Sequence, residues 1–423
     1  MTPMIDIMKQ EIICALGCTE PSAVALAVAK AKETLGEMPE RLELKVSGNI
    51  LKNAMNVGIP GTELKGIEIA AALGCIVGKS EYELEVLKDC SESDIREAQD
   101  YINKGCVCIS LKEGCQEKLY IEAKCIKGDK SSEAVIQKFH TNISSVCRND
   151  EVIYLSKQRE ENREDGKYPL TLQDIWQFAN EVESGELLFL KEVVEVNSRI
   201  AEEGLKTQYG MGVGKHLYDR MMKNGNMDFQ TFVVSYVSAA ADARMSGCTL
   251  PVMATTGSGN QGLTASLPVI ATARWMQSED EKLYRALAIS ELVTIHVKEY
   301  IGKLSALCGC AIAASIGSAC GMVYLLGGNL KNMEYVVKNM VADISGLICD
   351  GAKAGCALKI ATSVAGAIQC VYLALDEVQV PNHDGIVFGD VEETIRNLGS
   401  LSNKGMLTTD HVILNMMLEG QKQ

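Results

Sequence analysis

Aromatic side chains are scarce here: Phe, Trp and Tyr make up only 5% of the sequence. Alanine, glycine and methionine take their place, which favours closely packed helices over a β-sandwich core. Excess positive charge is missing too. The net charge is −14, and no basic patch with interleaved aromatics occurs, so nucleic acid is not an expected partner. No CxxC pair and no internal repeat of fixed period is found, and no Gly-Lys-Ser/Thr follows the Gly-rich turn at 254–263. The segment beginning MTPMIDIMKQEII has acid and lysine among its apolar residues and lacks a signal-peptide cleavage pattern.

What the chain does have is cysteine. Sixteen cysteines without a secretory pattern predict reduced thiols in a cytoplasmic protein, most of them packed as small hydrophobes. Five lie between His296 and Ile360: Cys308, Cys310, Cys320, Cys349 and Cys356. No charged residue separates Lys303 from Lys331. Two uncharged stretches, Met245–Ala273 and Leu304–Leu330, are long enough to raise a membrane span. Their Gly, Ser, Thr, Asn and Cys content suits helices buried in protein, so neither a membrane nor a transporter is expected.

The 423 residues are enough for two or more structural units. Apolar spacing predicts a helix over 4–16, stopped by Gly17, and a second ending near Gly36 with Thr19 and Pro21 in its start. Period two sets in at Arg41–Val46 and returns at Cys106–Leu111, Lys118–Ile126, Ala134–Thr141 and Val152–Leu155. Helices over Gly66–Val77 and Ser91–Lys104 lie between. A charged linker, KQREENREDGKY, spans 157–168, after which the pattern is helical. The predicted class is α+β: a large all-helical catalytic domain over 165–423, joined by the helical pair 1–36, with a smaller α+β lobe, 37–160, inserted between them. Cys106, Cys108, Cys115 and Cys125 in the lobe do not have zinc spacing.

Three features carry chemistry. Cys18 precedes a helix amino terminus, where N–H groups and the dipole favour a thiolate. ATTGSGNQGL, 254–263, is a Gly-rich turn leading into a helix. With Ser258, Asn260 and Gln261 it can cradle a carboxylate or phosphate, or else be a close helix connection. Cys308 and Cys310 diverge if helical, whereas in a turn one of them can face inward. Cys320 reads as a core thiol.

Five segments, GCTEP (17–21), SGNILKNAMNVGIPGT (47–62), TTGSGNQGL (255–263), CGCAIAA (308–314) and ICDGAKAGCALKI (348–360), together resemble the L-cysteine desulfidase family. That family is related to the α-part of iron–sulfur L-serine dehydratases. The resemblance implies a 4Fe–4S cluster held by Cys18, Cys310 and Cys349, and β-elimination of L-cysteine to pyruvate, ammonia and hydrogen sulfide. It also implies substrate binding by Ser258, Asn260 and Gln261. Candidates for the α-proton base are Lys52, His296 and Lys298. The Ser-Ser-His-Thr segment and carboxy-terminal cysteine of serine dehydratases are absent, which favours cysteine as substrate. L-Serine dehydration, pyridoxal-phosphate lyase chemistry and a non-enzymatic thiol- or metal-binding redox role are the alternatives. The expected partner is a small amino acid, and a homo-oligomer is compatible with the sequence.

Overall fold

Residues 3–115, 117–156, 168–225, 227–302 and 304–420 are described by a computed structural model. The charged linker at 157–167 lies outside them. The class is α+β, with two separate hydrophobic cores.

Six strands form the lobe's sheet, in the order Val107–Leu111, Arg41–Val46, Tyr120–Lys127, Lys130–Gln137, Ile143–Arg148 and Glu151–Leu155. The first pair is parallel, because the chain crosses between those strands through helices Gly48–Ala54, Ile67–Ile76 and Glu92–Asn103. The remaining pairs are antiparallel. Period two sorts the faces. Leu42, Leu44 and Val46 are buried in the lobe's core with Ile121, Ala123 and Cys125. On the alternate positions Lys45 pairs with Glu122 at 3.0 Å. The sequence reading placed one strand over 134–141; the structure has two, Lys130–Gln137 and Ile143–Arg148, with a tight turn between.

The second core is helical. Helix Gly259–Met276 is buried on every side from Gly259 to Ala273, which accounts for the lack of charge over those residues. Helices Leu190–Lys206, Phe229–Met245, Asp280–Ile301, Ala313–Leu325 and Cys356–Leu375 pack around it. Both long uncharged stretches are thus broken by turns and buried in protein. Helix Cys356–Leu375 is long and apolar enough to cross a membrane by length and composition, but Ala357, Ile360, Val364, Ile368 and Val371 are built into the helical core.

The amino-terminal pair divides between the cores. Helix Pro3–Glu11 puts Ile5, Ile7 and Met8 into the helical core. Helix Thr19–Leu35 does not join it. Its Ala23–Ala29 run and Leu35 lie in the lobe's core, so the lobe takes in this helix as well. Its small side chains let it lie flat on the sheet. The predicted helix over 4–16 is also cut short: Ile12–Ala15 is a strand, paired antiparallel with Val252–Thr255. The last helix, Thr409–Gly420, returns to the lobe and buries Leu414 there.

One acid is sealed in the helical core. Glu291 has no exposure; Thr255 Oγ1 donates to its Oε2 at 2.7 Å, and Oε1 has no partner among the described residues. Burial pushes its carboxyl up to about 8, outweighing the Thr255 hydrogen bond, since the charged form loses its hydration. The folded state therefore holds a proton that the unfolded chain releases near 4.5. The resulting stabilisation is full below pH 4.5 and is lost as pH rises towards 8. In urea unfolding of metal-free protein, Glu291→Gln should gain stability relative to wild type between pH 5 and 8. An unchanged wild-type-minus-variant difference over that interval would refute a buried neutral carboxyl.

Candidate active site

Backbone pairing between two loops builds the centre of the site. Cys308 N–H donates to Leu347 O at 2.9 Å, and Cys349 N–H to Ala306 O at 2.7 Å, an antiparallel bridge of Leu307 with Ile348. This sets Cys308, Cys310 and Cys349 on one wall. Cys356 opens helix Cys356–Leu375, and Cys18 is the N-cap of helix Thr19–Leu35. All five thiols line one cavity of about 90 Å3. Cys308 and Cys310 stand 3.4 Å apart, Sγ to Sγ, so both face inward where only one was expected to. Cys320 is buried in the helical core, as read from its setting.

The helix start at 258–261 forms another wall. Ser258, Asn260 and Gln261 all line the cavity. Asn260 Oδ1 accepts from Arg244 Nη1 at 3.0 Å, and Arg244 Nη2 donates to Gly17 O at 2.9 Å. Gln261 Nε2 donates to Thr255 O at 3.0 Å and is held by Thr256 Oγ1 as well. Gly309 allows these walls to close: a Cβ there would stand 2.5 Å from Gln261 Oε1 and 2.9 Å from Lys298 Nζ.

Charge is arranged around the thiols. Burial pushes the Cys18 thiol up to about 11 despite Arg244 beside it, and Cys356 up to about 12. Cys349 is raised by burial, with Lys52 opposing. Cys308 is the exception, lowered to about 7 by the hydrogen bond from Cys310, with Lys359 and Lys298 assisting against burial. Asp350 is paired with Lys353 and Lys359.

Of the three candidate bases, Lys298 lines the cavity. Its Nζ donates to Gly302 O at 2.7 Å, and burial lowers it to about 8. The other two lie elsewhere. Lys52, 1% exposed, pairs with Asp410 at 2.6 Å and donates to Cys349 O at 3.0 Å. Its Nζ is committed to these two acceptors, so it anchors the thiol loop and the last helix to the lobe. His296 is buried, with Nε2 2.7 Å from Glu392 Oε2, joining two helices of the core.

Sequence reading missed Arg244, Glu20, Asn53 and His140, all of which line the cavity. Arg244 carried a signal: it is the last charge before the uncharged stretch, at the end of an alanine-rich helix. A second, larger space of about 1960 Å3 lies between the sheet's polar face and the helical domain. It shares His140, Gly257 and Leu304 with the small cavity, and so forms its approach.

Among the described residues, no three His, Cys, Asp or Glu side chains gather closely enough for a single metal ion. The thiols are spread around a space instead of focused on a point. That arrangement fits a polynuclear group, whose ligands attach at separate corners, better than it fits one zinc ion.

Two large cores and a cysteine-walled cavity define a two-part α+β protein with a thiol-lined site. The profile of the serine dehydratase alpha chain matches residues 81–415, and the chain belongs to that family. It is similar to UPF0597 proteins along its length. One from Bacteroides thetaiotaomicron is 44% identical over 419 residues, covering 98% of this chain and 97% of that one. One from Clostridium perfringens is 42% identical over 423 residues, with 98% and 97% covered. The broader of the two resemblances read from the motifs, to the α-part of serine dehydratases, is the one these matches carry.

If Lys52 is an anchor and not a base, Lys52→Met should lower stability by about 3 kcal/mol, because Asp410 loses its partner. Urea unfolding with Lys52→Met and Asp410→Asn checks this. Full stability with abolished activity in Lys52→Met would restore a catalytic role.

Proposed function

We propose that this protein is an iron–sulfur-dependent lyase that eliminates the β-substituent of a small amino acid, L-cysteine in preference to L-serine. The observation that carries the reading is the convergence of Cys18, Cys310 and Cys349, from three distant segments, with the Ser258–Gln261 helix start on one small cavity. Those three thiols would hold a 4Fe–4S cluster. When bound, it supplies an iron with an open position that acts as a Lewis acid. Arg244, Lys298 and Lys359 line the cavity, Lys52 lies behind Cys349, and these cations offset the negative charge that thiolates bring.

The chain's own groups account for binding and orientation. Ser258, Asn260 and Gln261, with the N–H groups of the helix start, receive the substrate carboxylate. Arg244 holds Asn260 in place and adds positive charge. Burial of this wall keeps water out and strengthens its polar contacts. Lys298 stands beside the thiol loop, where the leaving group departs, and burial brings its proton affinity near neutrality.

The preference for cysteine follows from the leaving group. Hydrosulfide departs with its electron pair without prior protonation, whereas hydroxide requires a donor. The 2-aminoacrylate product hydrolyses to pyruvate and ammonia in water. A reducing compartment is part of the proposal, because all sixteen cysteines are unpaired thiols.

Two measurements test it. In anaerobically reconstituted protein, Cys18→Ala, Cys310→Ala or Cys349→Ala should remove bound iron and acid-labile sulfide. Cys320→Ala should retain both, at a packing cost on the order of 1 kcal/mol. A full cluster in Cys18→Ala would displace it from the ligand set in favour of Cys356. Pyruvate release from L-cysteine should exceed that from L-serine; equal or faster turnover of serine would make the protein a serine dehydratase.

A further inference from the structure

We propose that His140 is the catalytic base that removes the α-proton, oriented by Glu20. The assignment rests on the lyase reading above and names a residue that reading leaves open.

Position is the first argument. His140 is the one histidine among the cavity's lining residues, and it also lines the large cleft. It stands on the passage by which a substrate enters. Its imidazole lies against Gly257: a Cβ there would come within 3.0 Å of Nδ1. Gly257 directly precedes Ser258, where the carboxylate-binding wall begins. An amino acid's Cα is bonded to its carboxylate, so a group against this turn is within reach of the α-proton. Lys298, by contrast, is packed against Gly309 of the thiol loop, on the side of the departing sulfur.

Rigidity is the second. The turn carrying His140 is fixed by Lys138 N–H to Leu119 O at 3.1 Å, Asn142 N–H to Phe139 O at 3.1 Å and Asn142 Nδ2 to Gln137 O at 2.9 Å. The side chain is 11% exposed, and Nε2 lies 3.9 Å from Glu20 Oε1. Glu20 is itself held by Thr19 Oγ1 at 3.0 Å and Asn53 Nδ2 at 3.0 Å. A fixed carboxylate beside an imidazole orients the ring and stabilises the imidazolium formed when it takes a proton.

The step balances without an oxidant or reductant. The Cα proton passes to a His140 ring nitrogen, and the C–H electron pair becomes the Cα–Cβ double bond. The Cβ–S bond breaks, and sulfur leaves with its pair as hydrosulfide. His140 then returns its proton to water.

The test uses reconstituted holoenzyme with L-cysteine and with β-chloro-L-alanine, whose chloride leaves without protonation. His140→Asn should keep wild-type iron and sulfide content and change KM little. It should lose at least about 100-fold in kcat on both substrates, together with deuterium wash-in from solvent at Cα of recovered substrate. Glu20→Gln, with iron intact, should fall on the order of ten-fold. His140→Asn with more than one-tenth of wild-type kcat, or Lys298→Met losing β-chloro-L-alanine turnover while His140→Asn keeps it, overturns the assignment. A wild type that processes neither cysteine nor serine overturns the lyase reading itself, and this assignment with it.

Discussion

The pairing of Ala306–Cys308 with Leu347–Cys349 is the contact on which the site depends. Two hydrogen bonds, 2.9 and 2.7 Å long, place three thiols without asking any side chain to find another. Side-chain freedom is costly to remove, whereas a backbone bridge between loops anchored by helices leaves little to remove. Lys52 extends the same device. By donating to the Cys349 carbonyl and pairing with Asp410, it fastens the thiol wall to the lobe and to the last helix at once.

Polar groups inside this protein are expensive, and most of the cost is met locally. Arg244, Lys52, Lys298 and His296 are each less than 5% exposed, and each has a partner within hydrogen-bond distance: Asn260 and Gly17 for Arg244, Asp410 for Lys52, the Gly302 carbonyl for Lys298, Glu392 for His296. Removing either member of such a pair strands the other in a low dielectric. Arg244 and Lys298 line the cavity, and Lys52 ties the thiol loop behind it to the last helix, so contacts that join the parts of the fold also shape the cavity's walls.

Much of this was legible in the chain, and the failures share a cause. Cys18 before its helix, the Gly-rich turn that leads into the helix at Gly259 and the alternation at Arg41–Val46 are local signals, and the structure follows them. Ile12–Ala15 was read as helix because its apolar spacing continues that of Pro3–Glu11. Its strand partner, Val252–Thr255, lies far away in sequence, and tertiary pairing overrode local pattern. His296 and Lys52 looked available only because Glu392 and Asp410 are distant in the chain. Helix Thr19–Leu35 could have packed on either core, since alanine fits both. His140, in a polar turn between two strands, gave no pattern at all; its neighbours Gly257 and Glu20 come from other segments.

Cys18 and Cys356, near opposite ends of the chain, face the same small space. During synthesis the first has left the ribosome long before the second exists, so no stage of vectorial folding can assemble the full set of thiols. Whatever the thiols accept can therefore meet the full set only late in folding, once residue 356 has emerged. Its entry route is then the same passage past His140, Gly257 and Leu304 that a substrate uses. Maturation and turnover share one door, and a bound amino acid would close it.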